Sequence, residues 1–180
     1  LTGFDGRCDA IYLTTDANTQ PATWDAAETA ALRTRLRQQQ TVPAHQYDFV
    51  VVGGGIAGMC AAASAARLGC KVALVNDRPV LGGNNSSEIR VHLGGIIEMG
   101  PNQGLGRMIR EFGHERSGNA QPGDYYEDRK KEDFIDAEKN ITLYASQRAV
   151  AVKMQGDRIV SVTIQHIETG EQTELTAPLF

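Results

Sequence analysis

The chain is 180 residues long, 41% hydrophobic and 22% charged, with 18 Lys and Arg against 22 Asp and Glu. That length holds one ordinary domain, or one domain and part of another, and the apolar content suffices for a core. With a formal charge of −4, nothing points to a nucleic-acid or acidic-membrane partner, because there is no basic excess to neutralise phosphates. No apolar run approaches the roughly 20 residues of a membrane-spanning helix. The three cysteines, Cys8, Cys60 and Cys70, fit neither a disulfide framework nor a metal-ligand spacing, so no metal is expected. The chain opens on Leu1 without a secretory leader and reads as a piece of a longer protein. The compartment stays open between cytoplasm and periplasm.

In chain order, Ala10-Ile11-Tyr12-Leu13-Thr14 predicts a short strand, followed by turn residues Asp16-Ala17-Asn18. Residues 25–38 predict a helix that Thr23 can cap, with Glu28 early and Arg33, Arg35 and Arg37 late, as the helix dipole favours. Its apolar content is poor, which suits a surface helix or linker. Gln38-Gln39-Gln40, Pro43 and Ala44 continue as a connection. The expected organisation is a last strand and its exit over 1–20, a helical linker over 21–46, and the main domain over 47–180.

Tyr47-Asp48-Phe49-Val50-Val51-Val52 is a nearly continuous apolar run, the pattern of a strand buried on both faces of a parallel sheet. Gly53-Gly54-Gly55-Ile56-Ala57-Gly58 follows at once, then an Ala-rich helix from Met59 to Leu68 ended by Gly69. Lys71 to Val75 is a second strand. The segment is a β-α-β unit of about 30 residues, whose crossover is right-handed by general chirality. A polar glycine loop follows at 81–87. Leu105, Met108, Ile109 and Phe112 fall at helical spacing and predict an amphipathic helix over about 104–116. A loop at 117–124 leads to a charged helix over about 125–139, with Tyr126, Phe134 and Ala137 inward. Ile141 to Tyr144 is a third strand of the main sheet. Alternation through Val150, Val152, Val160, Val162 and Ile164, with turns at Gly156-Asp157 and Thr169-Gly170, predicts a three-stranded antiparallel meander over 147–176.

Gly53-x-Gly55-x-x-Gly58 sits between strand and helix, where it carries chemistry. Gly53 permits the tight turn, Gly55 lets the backbone approach a pyrophosphate, and Gly58 lets the helix pack close to the sheet. Ile56 and Ala57 lie within this motif as expected cofactor contacts, and the N-terminus of the helix that follows supplies unpaired N–H groups and a positive dipole end for the anion. The motif predicts dinucleotide binding. An acceptor for ribose hydroxyls is expected at the end of the second strand. Counting places Asn76 there, a neutral hydrogen-bonding group, with Asp77 as the alternative if the strand ends one residue later.

Arg78-Pro79-Val80-Leu81-Gly82-Gly83 resembles the two-dinucleotide-binding-domain flavoproteins. In those, a glycine pair after the second strand lies against the FAD pyrophosphate, and a basic residue before it lies near the adenosine. The match is closest to the FAD-dependent oxidoreductases of carbohydrate-degrading bacteria, whose pattern resembles VVVGGGIAG at 50–58 and ALV-x-DRPVLGGN-x-SSEIRVHLGG at 73–95. The resemblance covers about 47–180 and implies a Rossmann-like α/β fold. Its FAD-binding parallel sheet carries an antiparallel three-stranded meander, truncated at the C-terminus. It implies FAD contacts at Arg78, Gly82, Gly83, Asn84, Ser87 and backbone near Val150, beside the first glycine loop. Gly94-Gly95 is similar to the place where fumarate-reductase-like relatives pass close to the isoalloxazine ring.

Glu88, Arg90 and His92 fall at alternate positions and would share one side of an extended segment. There a cation could stabilise reduced flavin and His92 could relay a proton. The bland reading of the trio is a salt-bridged surface or inter-domain set. His45, His114 and His166 are expected on the surface. The resemblance further implies that a small-molecule substrate is met with a C-terminal domain beyond Phe180, and leaves the oligomeric state open. Residues 8–16 are similar to the last strand of carbohydrate-binding β-sandwich modules. Rival readings are an NAD(P)-binding dehydrogenase domain, against which the second glycine pair argues, and a non-catalytic nucleotide-binding module.

Overall fold

The computed structural model describes residues 15, 17–18, 25–28, 30–31, 42–95, 98, 101, 103–104 and 106–180. The expected strand at 10–14, the Thr23 cap, Cys8, Arg33 to Arg37 and Leu105 lie outside the described residues. The chain divides into two compact units, Leu1–Gln40 and Thr41–Phe180. In the first, residues 26–28 and 30–31 are helical. Glu28 N–H donates to Asp25 Oδ1 at 2.8 Å and Asp25 N–H to Glu28 Oε2 at 3.0 Å. This reciprocal pair puts Asp25 in the capping position.

The second unit contains two sheets and three α-helices among its described residues. Strands β2 (Phe49–Val52), β3 (Val72–Asn76) and β4 (Ile141–Ala145) form a parallel sheet in that order. Strands β5 (Gln147–Gln155), β6 (Arg158–His166) and β7 (Gln172–Thr176) form the expected antiparallel meander. Its turns fall at Gly156 and Gly170, both with positive φ. Ala44–Gln46, expected in the linker, is strand β1 and pairs in parallel with β7. Its backbone finds partners on the meander edge that no local pattern announces.

Helix α1 (Ile56–Arg67) crosses from β2 to β3, α2 spans Gly106–Phe112, and α3 spans Asp128–Asp136. The charged helix expected over 125–139 is broken. Gly123–Tyr126 is a 3₁₀ turn, and Glu127 adopts a left-handed φ of 45° before α3 begins. Ala137, expected inward, is exposed beyond the end of α3.

The parallel sheet is buried on both faces, which explains its unbroken apolar strands. Val51, Val72 and Leu74 pack with Met59, Ala62, Ala63 and Ala66 of α1 and with Phe112 and Phe134 of α2 and α3. Val50, Ala73 and Val75 face the other way, onto Val162, Ile164 and Leu175 of the meander. The result is three layers: helices, parallel sheet, meander. Tyr47 and Tyr144 join the two sheets through hydroxyls 2.8 Å apart. Burial and this hydrogen bond raise the Tyr144 pKa well above the phenol range. Arg67 at the end of α1 forks onto Glu111, at 2.6 and 3.0 Å, and reaches Glu138 at 2.6 Å. No helix among the described residues is long and apolar enough to cross a membrane.

Candidate functional site

The C-terminal ends of β2 and β3 open onto the glycine loop. Gly53 has a φ of +117°, which favours glycine, and its N–H donates to Val75 O at 2.8 Å. A Cβ on Gly58 would sit 1.9 Å from Gly53 O, so only glycine lets α1 approach the turn. Gly55 caps α1, whose first helical bond runs from Met59 N–H to Gly55 O. The N–H groups of Ile56, Ala57 and Gly58 therefore precede the helical ladder. No acidic residue stands in the first turn to oppose an anion there.

The second glycine loop packs directly on the first. Gly55 and Gly82 form a parallel bridge, and Gly82 N–H donates to Gly54 O at 2.8 Å. A Cβ on Gly83 would meet the Gly55 α-carbon at 3.1 Å, whereas one on Gly55 would meet only Gly83, at 3.9 Å. Space therefore opens off Gly55, at the helix start, where a diphosphate needs it. The residues present fit a dinucleotide pyrophosphate.

The two residues expected to meet ribose divide their work. Asn76 is buried and its Nδ2 donates to Arg78 O at 3.0 Å and Val80 O at 3.1 Å, closing its own turn. Asp77 is 47% exposed, with Oδ2 3.7 Å from Arg148 Nε. It lines a groove of about 240 Å³ with Val52, Gly53, Val75, Gln147, Arg148 and Ala149. Asp77 is therefore the acceptor left facing the groove, while Asn76 braces the turn. Val150, at the register shift of β5 between Ala149 and Ala151, is not part of this lining; the three residues before it are. Gln147 and Arg148 carry no sequence signal beyond their place at the start of a predicted strand. Ser146, left-handed at φ 55°, turns them toward the groove.

Glu88, Arg90 and His92 do not share a face, because residues 84–89 run through bends and turns rather than an extended segment and Arg90 has a left-handed φ of 63°. Glu88 pairs with Arg78 at 2.9 Å. Arg90 Nε donates to Ser87 O at 2.9 Å. His92 Nδ1 lies 2.8 Å from Asn119 Oδ1, which also accepts the His92 N–H at 2.9 Å. The amide oxygen can only accept, so Nδ1 is the donor in that contact. A Cβ on Gly94 would sit 2.9 Å from Nε2, so the ring lies beside the Gly94-Gly95 backbone. Asn84 is exposed and its carbonyl accepts Val91 N–H at 3.0 Å.

Leu93, Gly94, Gly95, Ile56, Ile109, Arg110, Gly113 and His114 line a cavity of about 440 Å³. His114, expected on the surface, is half-buried there. Its Nε2 accepts Leu93 N–H at 3.1 Å, while Nδ1 contacts Arg116 O. Only its place after the Phe112-Gly113 helix end hinted at this. His45 is exposed, and His166 Nδ1 accepts the N–H groups of Glu168 and Thr169 at 3.2 Å, bracing a turn. Arg110 is forked onto Glu98 at 2.9 and 3.0 Å, so its charge is already partnered. Among the described residues, no three His, Cys, Asp or Glu side chains are placed to hold a metal ion.

Residues 48–180 match the FAD dependent oxidoreductase family. The chain belongs to that family, and its cofactor is FAD. Among curated relatives, it is 43% identical over 68 residues to the soluble pyridine nucleotide transhydrogenase of Ectopseudomonas mendocina, covering 38% of this chain and 13% of that protein. It is 37% identical over 76 residues to the glycerol-3-phosphate dehydrogenase of Mycobacterium leprae, covering 39% of this chain and 12% of that one. The chain thus spans a small part of the length of these relatives. The fold is similar to that of a flavocytochrome c3 fumarate reductase, with a TM-score of 0.51 and 18% identity, over 86% of this chain and 35% of the other. It is also similar to Sdh1 of Mycobacterium smegmatis, with a TM-score of 0.50 and 17% identity, over 77% of this chain and 34% of the other.

Proposed function

We propose that FAD lies along a single line through the 41–180 unit and serves the oxidation or reduction of a small organic substrate, with a carbohydrate favoured. The pyrophosphate rests over the start of α1, between Gly53–Gly58 and Gly82-Gly83. The ribose hydroxyls reach Asp77 in the groove, with Arg78 and Arg148 nearby. The flavin end runs along Leu93-Gly94-Gly95 toward the His114 cavity. The observation that carries this reading is the backbone contact of the two glycine loops beside open space at Gly55.

When bound, FAD supplies the two-electron redox chemistry. This chain's residues bind, orient and move protons. The N–H groups at the start of α1 hold the anion, and Asp77 accepts hydrogen bonds from the ribose hydroxyls. His92 Nε2, beside Gly94, is the atom placed to take or give a proton. Glu88 and Arg90 act by shaping the segment that carries His92. The carbohydrate class is supported by the motif set at 50–58 and 73–95 and by the β-sandwich-like pattern at 8–16.

Gly55→Val tests the placement. A side chain there has room in the free protein but occupies the space assigned to the diphosphate. FAD titration beside far-UV circular dichroism should show lost binding with an intact fold. Retained affinity in a folded variant would refute the assignment.

A further inference from the structure

Behind the second glycine loop lies a charged group that the FAD contacts do not use. Lys131 of α3 is fully buried, with 0% of its side chain exposed. Taking an ammonium out of water is costly unless its charge and protons are met. Lys131 Nζ donates to Tyr126 O. Its counter-charge is Asp128, with Oδ1 3.6 Å away and 14% of the side chain exposed. Burial lowers the Lys131 pKa, and Asp128 opposes that shift.

The same three residues grip the glycine loop at two points and the chain just after it at a third. A Cβ on Gly82 would meet Lys131 Cδ at 2.7 Å and Cε at 2.8 Å, so the lysine stem packs against the bare Gly82 α-carbon. Asp128 Oδ1 and Oδ2 accept the Ser87 N–H at 3.1 and 3.2 Å. Tyr126 Oη lies 2.6 Å from Arg90 O and can donate to it. Gly83, between the first two points, lies against Gly55. The loop is therefore held between α3 and the start of α1.

We propose that Lys131 and Asp128 are positioning residues for the cofactor: a buried ion pair behind the second glycine loop holds Gly82–Ser87 in the shape that meets the FAD diphosphate. This inference rests on the placement of the diphosphate at the two glycine loops. An apolar residue at 131 could fill the space, but it could not pull Asp128 and, through it, Ser87 into register. The pair sets geometry from behind the loop and need not touch FAD.

Lys131→Met keeps the stem over Gly82 and removes the charge. Asp128→Asn keeps an acceptor for Ser87 N–H and removes the counter-charge. FAD affinity of each variant is measured in the 180-residue chain, with Gly55→Val as control, and amide exchange is followed in the FAD-free proteins. Each single variant should bind FAD about ten- to a hundredfold more weakly. The double variant should lose less than the product of the two, because one pair is removed in all three. Amide exchange at Gly82–Ser87 should speed up while Val72–Asn76 stays protected. Unchanged FAD affinity in folded Lys131→Met or Asp128→Asn, with binding lost in Gly55→Val, would overturn the clamp alone. Unchanged affinity in Gly55→Val would overturn the diphosphate placement on which the clamp rests. If Lys131→Met does not fold, the Asp128→Asn result decides. Loss of protection in Val72–Asn76 to the same degree as in the loop would also overturn the clamp, by showing a merely global loss of stability.

Discussion

The Asn76 amide donates to two carbonyls of its own turn, so its removal leaves Arg78 O and Val80 O without that donor. Asn76→Ala should therefore cost about 1–3 kcal/mol of stability, the penalty of orphaned polar groups, read as a lower denaturant midpoint. Asp77→Ala should leave stability nearly unchanged and weaken FAD binding by about 0.5–1.5 kcal/mol, the usual net value of one hydrogen bond. Calorimetric titration of both variants gives the ranking, and a larger binding loss in Asn76→Ala would reverse the roles. Gly58 makes a different demand. A methyl 1.9 Å from Gly53 O cannot be accommodated without moving α1 or the turn. Gly58→Ala should destabilise by about 1–3 kcal/mol, as overpacking does, and should weaken FAD binding as well. Stability equal to the parent protein would show that the turn relaxes freely.

Helices α2 and α3 meet where the Phe112 and Phe134 rings lie 4.7 Å apart, over the face of β3 that carries Val72 and Leu74. Phe134→Ala should cost about 3–5 kcal/mol and loosen the α3 support of the glycine loop, which equilibrium unfolding beside FAD titration would reveal. On the meander, Glu174 of β7 accepts from Lys153 Nζ and Ser161 Oγ, each at 2.6 Å. These bonds hold its carboxyl below the usual carboxylate range, Lys153 first and Ser161 next. The unfolded chain, with an ordinary Glu value of about 4.3, therefore takes up the proton first on acidification. The stabilisation is full above that value and is lost as pH falls through the lowered native one. Melting temperatures at neutral and acid pH should converge for Glu174→Gln relative to the parent. An identical acid shift in both proteins would remove Glu174 from the account.

Across the whole chain, the lining residues of the groove and the cavity belong to Thr41–Phe180. A protein lacking residues 1–40 should fold and bind FAD with the affinity of the 180-residue chain, and a large loss would assign residues 1–40 a part in the site. The β-α-β unit and the glycine spacing were legible in sequence because both are local. A strand buried on two faces must be continuously apolar, and a helix start that approaches its own strand must use glycine where a Cβ would strike backbone. The meander was legible for the same reason, since alternation and turn glycines repeat over short spans. What the sequence left open was settled between distant elements. Strand β1 exists because β7 offers it a free edge, and Gly82 approaches Gly54 across an intervening helix and strand. Asn76 and Asp77 are adjacent hydrogen-bonding groups in the sequence, and only the turn that follows decides which one is buried in bracing it. Lys131 reads as one charge among many on a polar helix, and only the packing of α3 against the glycine loop takes it out of water. Local rules act through chain neighbours and survive in the sequence. Burial and ion pairing depend on which surfaces meet, and that is decided by the tertiary structure.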